Sequence, residues 1–266
     1  MIDAQTALEN LQLTPEEQSA PISLMFSGGI DSTTAALALA KTHEKVHLLT
    51  YKNGYTHRGQ ERTKNRIKEL ERLTGPKFEH MLTSTKDLFD RFLVNDVARE
   101  YKRYRSGFIW CLGCKMAMHT RSILYNLEHD IPYMADGSSS STGEMVEQTL
   151  LSLYLFKEFY GEYGIQFQTP VYTIPREEEI RFLEKKGFRM GIRVKDRFLG
   201  IQPSCRAGEI YYLSFLLLDQ PPKHDDEKVQ QFLNERKEMA REVIHAYCEE
   251  RGIRKRVTPV TSARSA

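Results

Sequence analysis

Cysteine is scarce in this sequence, four residues in 266, and tryptophan occurs once. Four thiols, two of them in Cys111-Leu112-Gly113-Cys114, do not make the disulfide framework of a small secreted domain. They point to a reducing compartment where thiols serve metal or sulfur chemistry. An excess of charge of one sign is also missing. Lys and Arg total 38 against 36 Asp and Glu, a net charge of +2, so nucleic-acid binding would need a local basic patch. The apolar run "YYLSFLLL" at 211–218 is far short of the roughly 20 residues a membrane helix requires, so no membrane partner is expected. Residues 1–20 are polar and acidic, with no cationic segment followed by an apolar one, and the expected location is the cytoplasm.

What the chain does have is alternation. Strand-like segments at 22–26, 46–51, 77–85, 131–137 and 164–174 are interleaved with helical ones at 33–42, 59–75, 86–101, 111–131 and 176–187. Alternation at this spacing predicts an α/β fold with a doubly wound, mostly parallel sheet. Val229, Phe232, Leu233, Met239, Ala240, Val243, Ile244 and Tyr247 recur at helical spacing, which predicts a C-terminal helix docked on the body or on a second copy. The expected organisation is a polar extension (1–20), the α/β domain (21–220), the amphipathic helix (221–253) and a loose tail (254–266).

The first strand runs into Ser27-Gly28-Gly29-Ile30-Asp31-Ser32 and then into small helix-forming residues. Glycines between strand and helix bring free backbone N–H groups close to a ligand, and two serines add hydroxyls, the requirements of a phosphate site. A Walker loop would place Lys before its last Ser; here Asp31 precedes Ser32. A carboxylate beside phosphates makes sense if it bears on a magnesium ion or on an attacking group.

SGGIDS resembles the PP-loop, SGGxDS, of the N-type ATP pyrophosphatases. That resemblance implies an adenine nucleotide α-hydrolase-like (Rossmann-like) fold, ATP and Mg2+ as cofactors, adenylation of a substrate carbonyl oxygen and release of pyrophosphate. It implies that Ser27, Gly28, Gly29, Asp31 and Ser32 hold pyrophosphate and magnesium, with Asp31 catalytic. Tyr51, in "TYKNG", would lie near adenine, and Asp136 and Gly137 would line the same crevice.

On a helix beginning near residue 111, Leu112, Met116, Ile123, Leu124, Leu127 and Ile131 share one face, while Cys111, Cys114, Met118 and Arg121 fall opposite. The two thiols are then neighbours pointing away from the core stripe. Cys205, in "QPSCRAG", is the third candidate, and Cys248 sits on the apolar side of the terminal helix as a packing residue. Three thiolates are suited to an iron–sulfur cluster with one open iron, to zinc, or to persulfide and disulfide chemistry without metal.

The layout is similar to that of the PP-loop tRNA thiolases that make 2-thiocytidine and 2-thiouridine. There a CxxC opens a helix and a third cysteine lies far downstream. This likeness implies a [4Fe–4S] cluster on Cys111, Cys114 and Cys205, Cys114 and Cys205 acting in sulfur transfer, a sulfur donor, and tRNA or a small molecule as acceptor. The chain departs from those enzymes in having "ADGSSSSTGE" after the fourth strand, and "CRAG" in place of a second CxxC. The basic and aromatic run "REYKRYRSGFIWC" (99–111) is either an RNA face or a packed helix end, and His57 and Arg58 are candidates to reach phosphate. The rival functions are a PP-loop amide- or nitrile-forming ligase and a non-catalytic nucleotide-binding interaction module.

Overall fold

The computed structural model describes residues 20–188, 204–213 and 223–253. The expected extension and tail lie outside these residues, except Ala20. In chain order the elements are β1 (Ile22–Met25), α1 (Ile30–Thr42), β2 (Val46–Lys52), β3 (His57–Arg58), α2 (Thr63–Thr74), β4 (Phe78–Ser84), α3 (Lys86–Phe92), α4 (Val97–Tyr104), α5 (Phe108–Glu128), β5 (Tyr133–Ala135), α6 (Leu150–Gly161), β6 (Gln166–Gln168), α7 (Arg176–Lys185), β7 (Ser204–Cys205), α8 (Arg206–Tyr211) and α9 (Asp226–Arg251).

Five strands form a sheet in the order β4-β2-β1-β5-β6, every neighbouring pair parallel. β1 is buried along its whole length because helices cover both faces of the sheet, which is why it reads as an unbroken apolar run rather than an alternation. On one face lie α1, α2 and α7, packed on Leu24, Leu48 and Ala135. α1 is rich in alanine and buried on nearly every side, so it can lie close against the sheet. The opposite face carries α3, α5, α6 and α9 on Met25, Leu49 and Met134. The architecture is the doubly wound, Rossmann-like one, with the strand order reversing between β1 and β5.

Two expectations need correction. The helix expected over 86–101 is two helices, α3 and α4, because Arg236 of α9 enters the break. Its Nε donates to the Phe92 carbonyl at 2.6 Å and its Nη2 to Glu100 Oε2 at 2.6 Å. The strand expected over 164–174 pairs only at Gln166–Gln168, beyond which the chain turns through Thr169–Tyr172 and Val171–Ile174 hydrogen bonds. α6 was not anticipated at all. In the 99–111 run Tyr104 and Phe108 are buried edge-on against Phe232 and Arg103 makes a bidentate pair with Glu235 at 2.9 and 2.6 Å, while Arg99, Tyr101, Lys102 and Arg105 are exposed. The C-terminal helix docks on the chain's own body, burying Val229, Phe232, Leu233, Ala240, Ile244 and Cys248.

A second sheet is small and decisive for the site. β3 and β7 pair antiparallel with His57 opposite Cys205.

Candidate active site

The strand order reverses between β1 and β5, so their C-terminal ends open a crevice where parallel sheets bind ligands. The loop Ser27–Ser32 lines it from β1. Gly28 has φ +74°, a left-handed conformation that suits glycine, and its Cα faces Thr63 with only 3.3 Å left for a Cβ. α1 then begins at Ile30, directing its first N–H groups into the crevice. The Ser27 and Ser32 hydroxyls lie 3.0 Å apart, and Ser27 Oγ accepts from Gly29 N–H at 3.2 Å. A cavity of about 660 Å3 lies at the other end of the sheet, by the starts of β5 and β6, and is lined by none of the residues singled out here.

Asp31 does not face open space. Arg176, the first residue of α7, donates through Nη1 to both carboxylate oxygens at 2.8 and 3.1 Å. Its backbone N–H is fixed by Ser141 Oγ at 3.1 Å, so the serine-rich loop holds the arginine in place. One turn into α7, Glu179 is fully buried beside Asp31, whose carboxylate is its side-chain hydrogen-bond partner. Burial, then the neighbouring Asp31 carboxylate, pushes the Glu179 pKa up to about 10, so this acid is neutral at pH 7.

From β5 comes Asp136, 1% exposed, whose Oδ2 accepts from Lys115 Nζ at 2.9 Å while Oδ1 accepts from Ser138 N–H at 3.0 Å. Gly137 follows it against the start of α1. A Cβ there would lie 2.7 Å from Ser32 N and 2.8 Å from Ser32 Cα, so any side chain would push the two loops apart. Gly137 therefore lines the crevice as a spacer between its two walls.

Lys115 is the residue after Cys114. α5 begins at Phe108, earlier than the sequence suggests, so both CxxC cysteines lie inside the helix. Their side is covered, not exposed: Cys114 is buried and Cys111 half-buried, beneath residues 53–57 and the 204–212 segment. Asn53 organises this cover. Its Oδ1 accepts from the N–H groups of Tyr55, Thr56 and His57 at 3.1, 3.0 and 3.1 Å. Its Nδ2 donates to Cys114 Sγ at 3.3 Å and to Thr56 Oγ1 at 3.1 Å, and Thr56 Oγ1 lies 3.5 Å from Cys205 Sγ. His57 Nδ1–H donates to the Tyr51 carbonyl at 3.1 Å, which leaves Nε2 to meet Cys114 Sγ at 3.6 Å. Burial works most strongly against a charged His57, but the hydrogen bond and charge of Cys114 and the hydrogen bond to the Tyr51 carbonyl together outweigh it, and the net shift is upward. Burial, then Glu147, pushes the Cys111 thiol well above its usual range.

The three cysteines thus converge, with amide, hydroxyl and imidazole groups around the sulfurs. Three soft thiols flanked by hydrogen-bond donors are the right donor chemistry for an iron–sulfur cluster. Among the described residues, no three His, Cys, Asp or Glu side chains are drawn up as a metal cage.

Tyr51 differs from expectation. Its ring is buried in the core and its hydroxyl meets Ser122 Oγ at 2.7 Å, so only its backbone borders the site. His57 serves a thiol rather than a phosphate. Sequence reasoning also missed Asn53, Lys115, Arg176 and Glu179. Lys115 alone carried a signal, its place beside Cys114.

The sequence model of the family described as "Queuosine biosynthesis protein QueC" matches residues 22–101, from β1 into α4. The matched span carries the SGGIDS loop and ends before the cysteines. No curated protein matches the chain in sequence. Among solved structures, a 4-thiouridine synthetase in complex with RNA and ATP is similar over 86% of this chain at 15% identity and a TM-score of 0.51. This chain spans 53% of that enzyme's length. The U34-tRNA thiolase NcsA of Methanococcus maripaludis, solved with its [4Fe–4S] cluster, is 13% identical over 95% of this chain and 88% of its own, with a TM-score of 0.49. NMN synthetase from Francisella tularensis is 13% identical over 87% of this chain and 92% of its own, at 0.45.

Proposed function

We propose that this PP-loop protein is an ATP-dependent enzyme that adenylates a carbonyl oxygen and replaces it with sulfur, with tRNA as the acceptor class. The observation that carries the reading is a continuous path between the phosphate loop and the thiols. Ser32 and Asp31 pack on Gly137, Asp136 next to it is paired with Lys115, and Lys115 adjoins Cys114. An activated carbonyl held at the loop therefore lies next to the sulfur-bearing side chains.

Each residue has a task in this scheme. The N–H groups at the start of α1, with Ser27 and Ser32, hold the pyrophosphate that leaves. Asp31 serves the magnesium ion, and Asp136 and Lys115 keep the crevice wall ordered and charged. Adenylation turns a carbonyl oxygen, a poor leaving group, into AMP, a good one. His57 takes the Cys114 proton at Nε2, favouring thiolate, the form that can ligate a metal, while sulfide supplies the sulfur that displaces AMP. A cluster held by Cys111, Cys114 and Cys205 would supply an iron position not occupied by protein thiols. The RNA- and ATP-bound 4-thiouridine synthetase, which has the same fold, lends support to the acceptor class.

The QueC match favours a second reading, a ligase in which nitrogen instead of sulfur displaces AMP. One experiment separates them. The anaerobically purified protein is given ATP, Mg2+, sulfide and unmodified bulk tRNA, with AMP and pyrophosphate measured and the tRNA digest analysed by mass spectrometry. Oxygen-for-sulfur exchange that disappears in Cys114→Ala supports thiolation. AMP release with ammonia but without sulfur incorporation supports the ligase. Iron, sulfide and zinc per chain, in wild type and in the Cys111→Ala/Cys114→Ala/Cys205→Ala variant, decide whether the thiols hold a cluster, zinc or neither.

A further inference from the structure

Lys237 is an exception on the buried face of α9. It is only 8% exposed, yet its ammonium makes no hydrogen bond or ion pair with any described residue. Arg236 beside it, also buried, is bonded to the Phe92 carbonyl and to Glu100. Glu162, the carboxylate with the strongest pull on Lys237, is engaged by Arg241 one turn further along α9, which donates to both its oxygens at 2.7 Å. Glu238 is held by the same arginine. Buried charges are ordinarily paired, and a lysine stem is long enough to carry its head to water. Lys237 instead lines the cavity of about 660 Å3 at the starts of β5 and β6.

We propose that this cavity binds a small organic anion with an aromatic body, its negative group on Lys237 and its ring against Phe167 and Tyr154. The volume lies within the range of about 300–1,000 Å3 typical of small-molecule sites, which pair an apolar wall with a few polar groups. Leu155, Ile165 and Phe167 supply a buried apolar wall, and the Tyr154 ring stands exposed at the rim. Glu162 is neutralised by Arg241, and the exposed Lys157 and Glu158 offset each other, which leaves Lys237 as the unbalanced charge among the Lys and Glu side chains of the lining. Burial, only partly offset by Glu162, draws the Lys237 pKa down, and a bound anion would reverse that shift. Neither the Ser27–Ser32 loop nor any cysteine lines the cavity, so the inference stands apart from the functional reading.

The test uses the full chain and two fluorescent probes of similar shape. Anilinonaphthalene sulfonate carries an anionic group on its rings, and phenylnaphthylamine has the rings alone. The wild type should bind the sulfonate saturably, one per chain, and saturating ATP with Mg2+ should not displace it. Lys237→Met should weaken the sulfonate about tenfold or more and the neutral probe by less than about twofold, while Lys237→Arg should keep most of the sulfonate's affinity. Methionine of similar length replaces an unpaired buried ammonium, so the urea midpoint of Lys237→Met should match or exceed that of the wild type. Gly161, at the end of α6, also lines the cavity, and a Cβ there would meet open space. Gly161→Leu should therefore fill the cavity and exclude both probes with stability close to wild type. The proposal is overturned if Lys237→Met loses both probes equally or neither, if ATP displaces the sulfonate, if Gly161→Leu still binds it, or if the wild type shows no saturable binding.

Discussion

His57 lies directly opposite Cys205 across the β3–β7 pair, while its imidazole Nε2 is 3.6 Å from Cys114 on a different helix. One residue thus connects two cysteines that are widely separated in sequence. The 53–57 turn places it there, and Asn53 fixes the turn.

Asn53 should control the reactivity of both thiols. Asn53→Ala frees three backbone N–H groups and removes the amide from Cys114. Each of the five lost hydrogen bonds costs about 1 kcal/mol, so denaturant unfolding should show a loss of up to about 5 kcal/mol. Alkylation of Cys114 and Cys205 by iodoacetamide should become faster as the cover loosens. Asn53→Asp keeps the three acceptor contacts but puts a carboxylate beside Cys114, and should slow alkylation at pH 7.5 by disfavouring thiolate.

Lys115→Met leaves the Asp136 carboxylate buried without its cation. Breaking a buried pair from one side costs about 3–5 kcal/mol, a loss that urea unfolding would detect. Lys115→Met/Asp136→Asn should recover most of that stability but not activity. Full activity in the double variant would show that the pair is purely structural.

Gly137→Ala forces a methyl group to within 2.7 Å of the Ser32 backbone. Overpacking of this kind costs about 1–3 kcal/mol, and the displacement falls on the phosphate loop. Binding of α,β-methylene-ATP by calorimetry should weaken far more than overall stability does.

His119 gives the protein a pH dependence. It is fully buried, stacked on Phe156, with Nδ1 3.0 Å from the Tyr160 hydroxyl, and burial holds its pKa well below the usual 6.5. Below pH 6.5 the unfolded chain therefore binds a proton that the folded one refuses. Stability should fall as pH drops from 7 toward 5, by up to about 1.4 kcal/mol per pH unit for this group. His119→Phe should flatten the slope in denaturant titrations at pH 5, 6 and 7, and an unchanged slope would assign the effect to other groups.

Local signals were enough where function depends on neighbours in sequence. The SGGIDS loop was legible because a strand, two glycines and a helix start follow one another within ten residues, and Cys111 and Cys114 because helical spacing makes them neighbours. The break between α3 and α4 was not, since its cause is Arg236, which arrives from the far end of the chain. Nor was the burial of Tyr51, whose side of β2 depends on what covers the sheet.

The sequence by itself determined the doubly wound sheet, the place of the SGGIDS loop at the end of β1 and the neighbouring positions of Cys111 and Cys114 on one helix, because strand periodicity, glycine conformation and helical spacing act over a few residues. Only the tertiary structure decided that Cys205 pairs across from His57, that Lys115 spans from the cysteine helix to Asp136, and that Arg176 and Glu179 stand on Asp31. These contacts join residues from different elements. They exist because the β1–β5 reversal and the small β3–β7 sheet bring separate loops to one edge, where burial makes each charge and thiol depend on partners that no local pattern encodes.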